Sequence, residues 1–391
     1  MKICIEHILE ANVLELAVLK NEMAECCVCN KENICIDSNC PELHGMLRAI
    51  IRYFYDEWEY NGHLGGEDTH NSIIQESNFI FKEDVFSDKD RSENLDWEFY
   101  DIDVYFNDDE GVSLFAGYSE CMQNIPLESI INDEDEKITS LQNKLEISNY
   151  YEHEDFIKNS ISQYVGAFDY ILKEDEELYR ARVGYVNSKA AFSGGFTRAV
   201  VKFYSPYCAD KISAVPPLIA NEGRANRAGV SFLYCATDEY TAISEVRPHP
   251  SDIVSIAKFT AKSNLKLFDL SYPHLINYYH CETSLKKLRT YATIAKIFNV
   301  ATPPSQKGRY LVTQLIANAI RQLGYDGIIF SSTVGTGKNI VIFTPEKASV
   351  IEGSEYVVNI RSVSYKYKKE GVIGKDDTYE IYMDDLRLGS S

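Results

Sequence analysis

The sequence predicts an α+β protein of two parts, a mostly helical N-terminal domain over residues 1–172 and a compact mixed-sheet domain over 173–391. Three observations predict it. The chain has 391 residues with 45% apolar and 12% aromatic content, enough for a core in each of two ordinary domains. Apolar residues recur at helical spacing through the first half. Past the acidic KEDEE that precedes Leu178, the texture changes to short β-rich runs broken by Gly and Pro.

Residues 5–23 predict a helix, and the segment ECCVCNKENICIDSNC breaks it with a loop holding Cys26, Cys27, Cys29, Cys35 and Cys40. Cys26 and Cys29 form a Cys-x-x-Cys pair. A structural zinc site would normally add a second such pair or a His pair, whereas Cys35 and Cys40 are irregularly placed, so free thiols and no stoichiometric metal are expected. Leu43, Met46, Leu47, Ile50, Ile51, Phe54 and Trp58 then predict an amphipathic helix that is core rather than chemistry. NGHLGGEDTHN, with His63, Glu67, Asp68 and His70, reads as a polar turn. Acidic and aromatic residues alternate irregularly over 76–109, and INDEDEK marks a solvated acidic turn. Phe156, Ile157, Ile161, Tyr164, Val165, Phe168 and Ile171 predict a second long helix, whose end marks the domain boundary.

In the second half, residues 178–183 (LYRARV) predict a strand carrying Arg180 and Arg182, beside a flexible loop, SKAAFSGGFTRA. GRANRAG at 223–229 reads as a loop, 231–236 as a short strand, and 237–246 as a helix closed by Pro248. DIVSIAKFT and NLKLFDL predict strands, and 285–298 and 311–323 predict helices separated by Pro303–Pro304, with Gly324 as a cap. DGIIFSS and NIVIFT predict two more strands. The Gly-rich turn between them fails as a phosphate loop, because Ser332 and Asn339 stand where that motif needs Gly and Ser or Thr, and no helix follows.

The formal charge of -20 argues against general nucleic-acid binding, though a small anion needs only a local basic pocket. Glu6, His7 and Glu10 interrupt the first residues where a secretory signal would be apolar, and no run has membrane-spanning length. A cytoplasmic protein is expected, with most of its ten cysteines reduced.

The stretch from Gly223 to Pro248 sets Arg224, Tyr234 and Glu245 on successive loop, strand and helix, and predicts a cleft. Arg180 and Arg224, on different elements, suit bidentate recognition of a dinucleotide diphosphate. Glu245 has a bland alternative, an ion pair with Arg247 at a helix end, and Tyr234 has one as core. Cleavage of a nicotinamide–ribose bond makes modest demands, because the leaving group is already cationic. One carboxylate against the developing oxocarbenium ion, an aromatic face and arginines would suffice, which points to NAD as substrate with no cofactor.

LYRAR at 178–182, GRANRAG at 223–229, LYCA at 233–236, TAISEV at 241–246 and DGIIFSS at 326–332 together resemble, in order, the RES domain, named for its Arg, Glu and Ser. The resemblance spans roughly the second half. It implies a fold similar to ADP-ribosyltransferase toxins and an enzyme that degrades NAD, as a glycohydrolase or phosphorylase, in bacterial defence or a toxin–antitoxin setting. Transfer of ADP-ribose to a protein and non-catalytic NAD sensing are the alternatives. Position by position, Arg180 and Arg224 look like the arginines that hold NAD, Tyr234 like the tyrosine on the nicotinamide side, Glu245 like the catalytic glutamate and Ser332 like the serine. Ser331 stands in reserve, and Tyr179 and Asn226 join the NAD-binding set. Ala225 and Ser331 depart from the commoner large aromatic and proline. The first half resembles, more weakly, a HEPN-related domain that precedes some RES domains, through the CCVC loop, EWEYNGHLGGE and LDW near Trp97. No Arg and His stand at the spacing of an active ribonuclease, so a regulatory or assembly role, an antitoxin or regulatory partner and a homo-oligomer are expected.

Overall fold

The computed structural model describes residues 1–60, 74, 79–99, 102, 127–192, 200–300, 310–364 and 367. The turn with His63, Glu67, Asp68 and His70, much of the acidic–aromatic stretch, the tip of SKAAFSGGFTRA and Pro303–Pro304 lie outside the described residues.

The first half is not the run of helices that the spacing predicts. Strand β1 (Lys2–Cys4) leads through a 3-10 turn into α1 (Ala11–Lys20), followed by β2 (Glu22–Glu25) and β3 (Glu32–Asp37). The three strands form an antiparallel sheet in the order β1-β3-β2. Buried Glu10 caps α1 by accepting the Val13 N–H at 2.8 Å, and Asn21 ends it in the left-handed region at φ 49°. The predicted helix over 5–23 is therefore shorter at both ends, and the cysteine-rich segment is a β-hairpin rather than a loop. Helix α2 (Pro41–Phe54) follows, with Pro41 in its first turn and Leu43, Met46, Leu47, Ile50 and Ile51 of the predicted stripe buried; Phe54 is half-buried, and Trp58 lies beyond the helix end and is exposed. Its buried Arg52 pairs with Glu282 at 3.0 Å. Then come α3 (Glu57–Tyr60), α4 (Lys89–Phe99), α5 (Glu136–Thr139), α6 (Leu141–Ile147) and α7 (Glu154–Ser162).

The predicted long helix through Ile171 stops at Ser162, and the chain turns at Gly166, φ 87°, into β4 (Asp169–Leu172). This strand pairs with the large sheet, which therefore begins before residue 173. The rest runs β5 (Leu178–Val183), β6 (Asn187–Phe192), β7 (Val200–Ser205), β8 (Leu233–Ala236), α8 (Glu239–Glu245), β9 (Ile253–Ala261), β10 (Leu265–Asp269), α9 (Glu282–Leu285), α10 (Arg289–Asn299), α11 (Tyr310–Gln322), β11 (Gly327–Ser331), β12 (Lys338–Ile342), β13 (Ala348–Val350) and β14 (Tyr356–Asn359).

The large sheet has the order β13-β9-β5-β8-β12-β11-β10-β4, with β14 also on β9. It is mixed, as predicted: β10 and β11 run parallel and their neighbours antiparallel. Alternation divides the strand residues between two faces. One face carries Leu178, Leu233, Cys235, Ile329, Ile340 and Ile342 in one core. The other carries Ile328, Phe330 and Val341, which share a core with α10, α11, α2 and Ile3. The two parts of the chain are thus joined through one apolar core rather than merely linked.

Candidate active site

The hairpin of β11 and β12 is fastened to the start of α8. Asp238 caps this helix by accepting the Thr241 N–H at 2.8 Å. Thr241 Oγ1 accepts the Gly337 N–H at 2.9 Å, and Thr237 Oγ1 accepts the Lys338 N–H at 3.0 Å. A Cβ at Gly337 would lie 1.8 Å from the Asp238 carboxylate, so only glycine permits this approach.

The fastening brings Ser332 and Asn339 onto the last residue of α8. Ser332 Oγ donates to Glu245 Oε1 at 2.7 Å, and Asn339 Nδ2 donates to the same oxygen at 2.6 Å. The Val334 and Gly335 N–H groups donate in turn to Ser332 Oγ, at 3.2 and 2.9 Å. One carboxylate oxygen is thus held by two side chains. Asn339 was missed in the sequence, although a polar residue opening a strand otherwise as apolar as NIVIF was a usable signal.

Register places the neighbours. Asn339 is opposite Ala236 and Phe330, Val341 is opposite Tyr234, and Tyr179 is opposite Ala236. Antiparallel partners share a face, so Tyr179, Tyr234, Phe330 and Asn339 all lie on the side covered by α8. Arg224 enters from the 223–229 loop. One of its N–H groups donates to the Phe298 carbonyl, and its guanidinium sits 5.5 Å from the Phe330 ring centroid. Burial pulls this group below its ordinary pKa, and the nearby Glu245 carboxylate is the strongest influence opposing that. Arg247, exposed just beyond α8, is close enough to act on Arg224 as a like charge.

Tyr234 and Asn226 build the loop from within. The Tyr234 hydroxyl donates to Asn226 Oδ1 at 2.7 Å and accepts the Ala225 N–H at 3.1 Å. Asn226 is buried, and its Nδ2 donates to the Asn221, Arg227 and Val230 carbonyls at 2.9, 3.0 and 2.8 Å. Helix α11 grips the same loop, with Thr313 Oγ1 donating to the Arg224 carbonyl at 2.5 Å and Gln314 Nε2 to that of Gly223 at 2.9 Å. The polar groups of Asn226 are therefore committed to shaping the loop rather than turned toward a ligand.

Arg180 does not join this group. It shares strand parity with Leu178, not with Tyr179, and so faces away from α8. Its guanidinium donates to the carbonyls of Ile212 at 2.7 Å, Tyr234 at 2.5 Å and Ser213 at 3.3 Å. Tyr179 stays on the α8 side, half-buried against Ala181, Ala236 and Ala242. Ser331 turns to structural partners: its N–H donates to Asn299 Oδ1 at 3.0 Å and its hydroxyl to the Ser271 carbonyl at 3.3 Å. Ser332, not Ser331, reaches Glu245.

Residues 196–361 match the family model of the RES domain. The chain carries a RES domain. RES domains are found in NAD-degrading toxins. The match takes in Arg224, Tyr234, Glu245, Ser331, Ser332 and Asn339, and leaves Tyr179, Arg180 and the N-terminal part outside it. No curated protein matches the chain. Among solved structures, the chain is similar to a protein in the crystal structure of the M. tuberculosis MbcT-MbcA toxin–antitoxin complex, at 12% identity and a TM-score of 0.29, over 52% of this chain and 94% of that one. Among the described residues, no helix is long and apolar enough to cross a membrane.

Proposed function

We propose that the RES domain of this chain cleaves the nicotinamide–ribose bond of NAD and acts as an NAD-depleting toxin. The observation that carries this is the clamp of Ser332 and Asn339 on one oxygen of Glu245, with Arg224 alongside. As the glycosidic bond lengthens, positive charge moves from the pyridinium ring onto the ribose. A carboxylate held rigidly at the sugar stabilises that state more than the ground state. Oxygen Oε1 is occupied by its two donors, so Oε2 is the atom presented to the ribose. No proton need reach the leaving group.

The diphosphate falls to Arg224 and, at the cleft mouth, Arg247. Two like charges brought together beside one acid gain from an anion placed between them, and this replaces the expected pairing of Arg224 with Arg180. Tyr179, Tyr234 and Phe330 line the same face, and the arginine sits over the Phe330 ring.

Transfer of ADP-ribose to a protein would be helped by a second acid beside Glu245. Glu239, on the same helix, instead accepts the Tyr356 hydroxyl at 2.6 Å, which favours water or phosphate as the acceptor. An antitoxin or other regulatory partner and a homo-oligomer belong to the same proposal, as does a cytoplasmic location, where NAD is available. Purified full-length protein incubated with NAD is expected to release free nicotinamide, and added phosphate should divert the product from ADP-ribose to a phosphorylated form only if phosphate is the acceptor. Absence of nicotinamide release, with NAD still bound, would leave the domain a sensor.

A further inference from the structure

The N-terminal hairpin gathers a ligand set that sequence spacing hid. Three sulfurs and one imidazole nitrogen, from Cys4, His7, Cys26 and Cys29, lie within 4.8 Å of one another. We propose that these four residues form a closed tetrahedral zinc site that staples β1 to the β2–β3 hairpin.

The second pair is Cys4-x-x-His7, a mixed pair that is neither a second Cys-x-x-Cys nor a His pair. Cys4 and Cys29 Sγ are 3.9 Å apart. Thiolates bound tetrahedrally at about 2.3 Å stand about 3.8 Å apart, so this edge needs almost no adjustment. The sulfurs are far outside disulfide bonding distance, which is about 2.05 Å.

His7 supplies independent support. It is 7% exposed, and its Nε2 is buried without a hydrogen-bond partner among the described residues. Its Nδ1 lies 2.9 Å from Asp84 Oδ2. An Nδ1–H donating to that carboxylate leaves the lone pair on Nε2, the tautomer and the carboxylate–histidine arrangement of a zinc ligand. A buried, unpartnered ring nitrogen is costly, and coordination removes the cost.

The backbone is shaped for the same purpose. Cys26 Sγ accepts the N–H groups of Cys4 and Val28, both at 3.4 Å, which suits a sulfur carrying negative charge. Asn30 turns the chain in the left-handed region at φ 57°, just after Cys29, and its N–H closes onto the Cys26 carbonyl at 2.9 Å. Cys4 and Cys26 are fully buried. Three thiolates and an imidazole select zinc and leave no open position, so the site is structural rather than catalytic. Cys35 and Cys40 are engaged elsewhere: Cys35 donates to the Ala24 carbonyl at 3.4 Å, and Cys40 caps α2 by accepting the Leu43 N–H at 3.3 Å.

Elemental analysis of the full chain, purified under reducing conditions, is expected to find about one zinc per chain. Cys26→Ser and Cys29→Ser should lose it, while Cys35→Ser and Cys40→Ser should keep it. Asp84→Asn, which spares the four ligands, should release zinc to a chelator at about 10- to 100-fold lower chelator concentration. Cobalt exchanged into the unaltered chain should give thiolate charge-transfer and tetrahedral d–d bands, a readout that needs no variant to fold. Zinc-free protein that gives no such bands with cobalt overturns the proposal, as does a Cys26→Ser chain that keeps full zinc or a Cys35→Ser chain that loses it.

Discussion

Arg180 and Arg224 are equally prominent in the sequence and meet opposite fates in the fold. Arg180 sits on a strand, where parity decides its face, and that face is turned away from Glu245. There it becomes a bracket for three carbonyls. Arg224 sits on a loop whose direction is set by Tyr234, Asn226 and α11, and the loop delivers it beside Glu245. The difference teaches that a cation on a strand can be assigned to a cleft only after its parity is checked. Tyr179 and Arg180 are adjacent on one strand, so they could never have faced the same cavity.

The contrast predicts that chemistry fails on one side of the sheet and stability on the other. The largest effect should come from Glu245→Gln, which keeps size and loses charge. Turnover should fall by a factor on the order of 100 to 1000 while NAD still binds, as single-turnover nicotinamide release and a binding titration would show. A variant turning over at the parental rate would mean that another acid performs the reaction.

Next come the two arginines, measured together. Arg224→Ala should raise KM by about 10- to 100-fold, the loss of a charge-assisted contact, with little change in melting temperature. Lysine there should restore little, because it lacks the planar fork. Arg180→Ala should do the reverse, costing about 2 to 4 kcal/mol of stability by leaving carbonyls unpaired, with KM nearly unchanged in the folded fraction. If Arg180→Ala folds as well as the parent but loses NAD affinity, the division between the faces is wrong. Asn339→Ala follows, with kcat lowered by about tenfold, since Glu245 loses one of its two holders.

Much of the RES half was legible because its signals are local. The Pro248 stop, the alternation of DIVSIAKFT and NLKLFDL and the Gly-rich turn after DGIIFSS each fix structure within a few residues. The sheet's start at Asp169 was not legible, because that strand's apolar residues also fit the end of a helical stripe and only its partner β10 decides between them. The first residues misled for a related reason: a helix is expected from Ile5, yet Ile5–His7 form a 3-10 turn, Ile8 bridges to Phe81 far along the chain, and Cys4 and His7 lie near a hairpin twenty residues on. Asn339 was hidden because its role depends on a hairpin folding back onto α8.

The smallest effect should come from Tyr234→Phe, and it separates two accounts of that residue. If Tyr234 contributes only its ring, as a surface for nicotinamide, phenylalanine should serve as well and kinetics should be unchanged. In the structure the hydroxyl joins Asn226 Oδ1 to the Ala225 N–H and so holds the loop that carries Arg224. Losing it leaves two buried polar partners short of a bond, worth about 1 to 3 kcal/mol of stability. Arg224 should then be aimed less firmly, and KM should rise severalfold with kcat nearly constant. The decisive measurement is the double variant. Tyr234 acts on NAD through Arg224, so in an Arg224→Ala background the Tyr234→Phe substitution should add almost nothing to KM while still lowering the melting temperature. Effects on KM that multiply in the double variant would assign the hydroxyl a contact of its own with NAD.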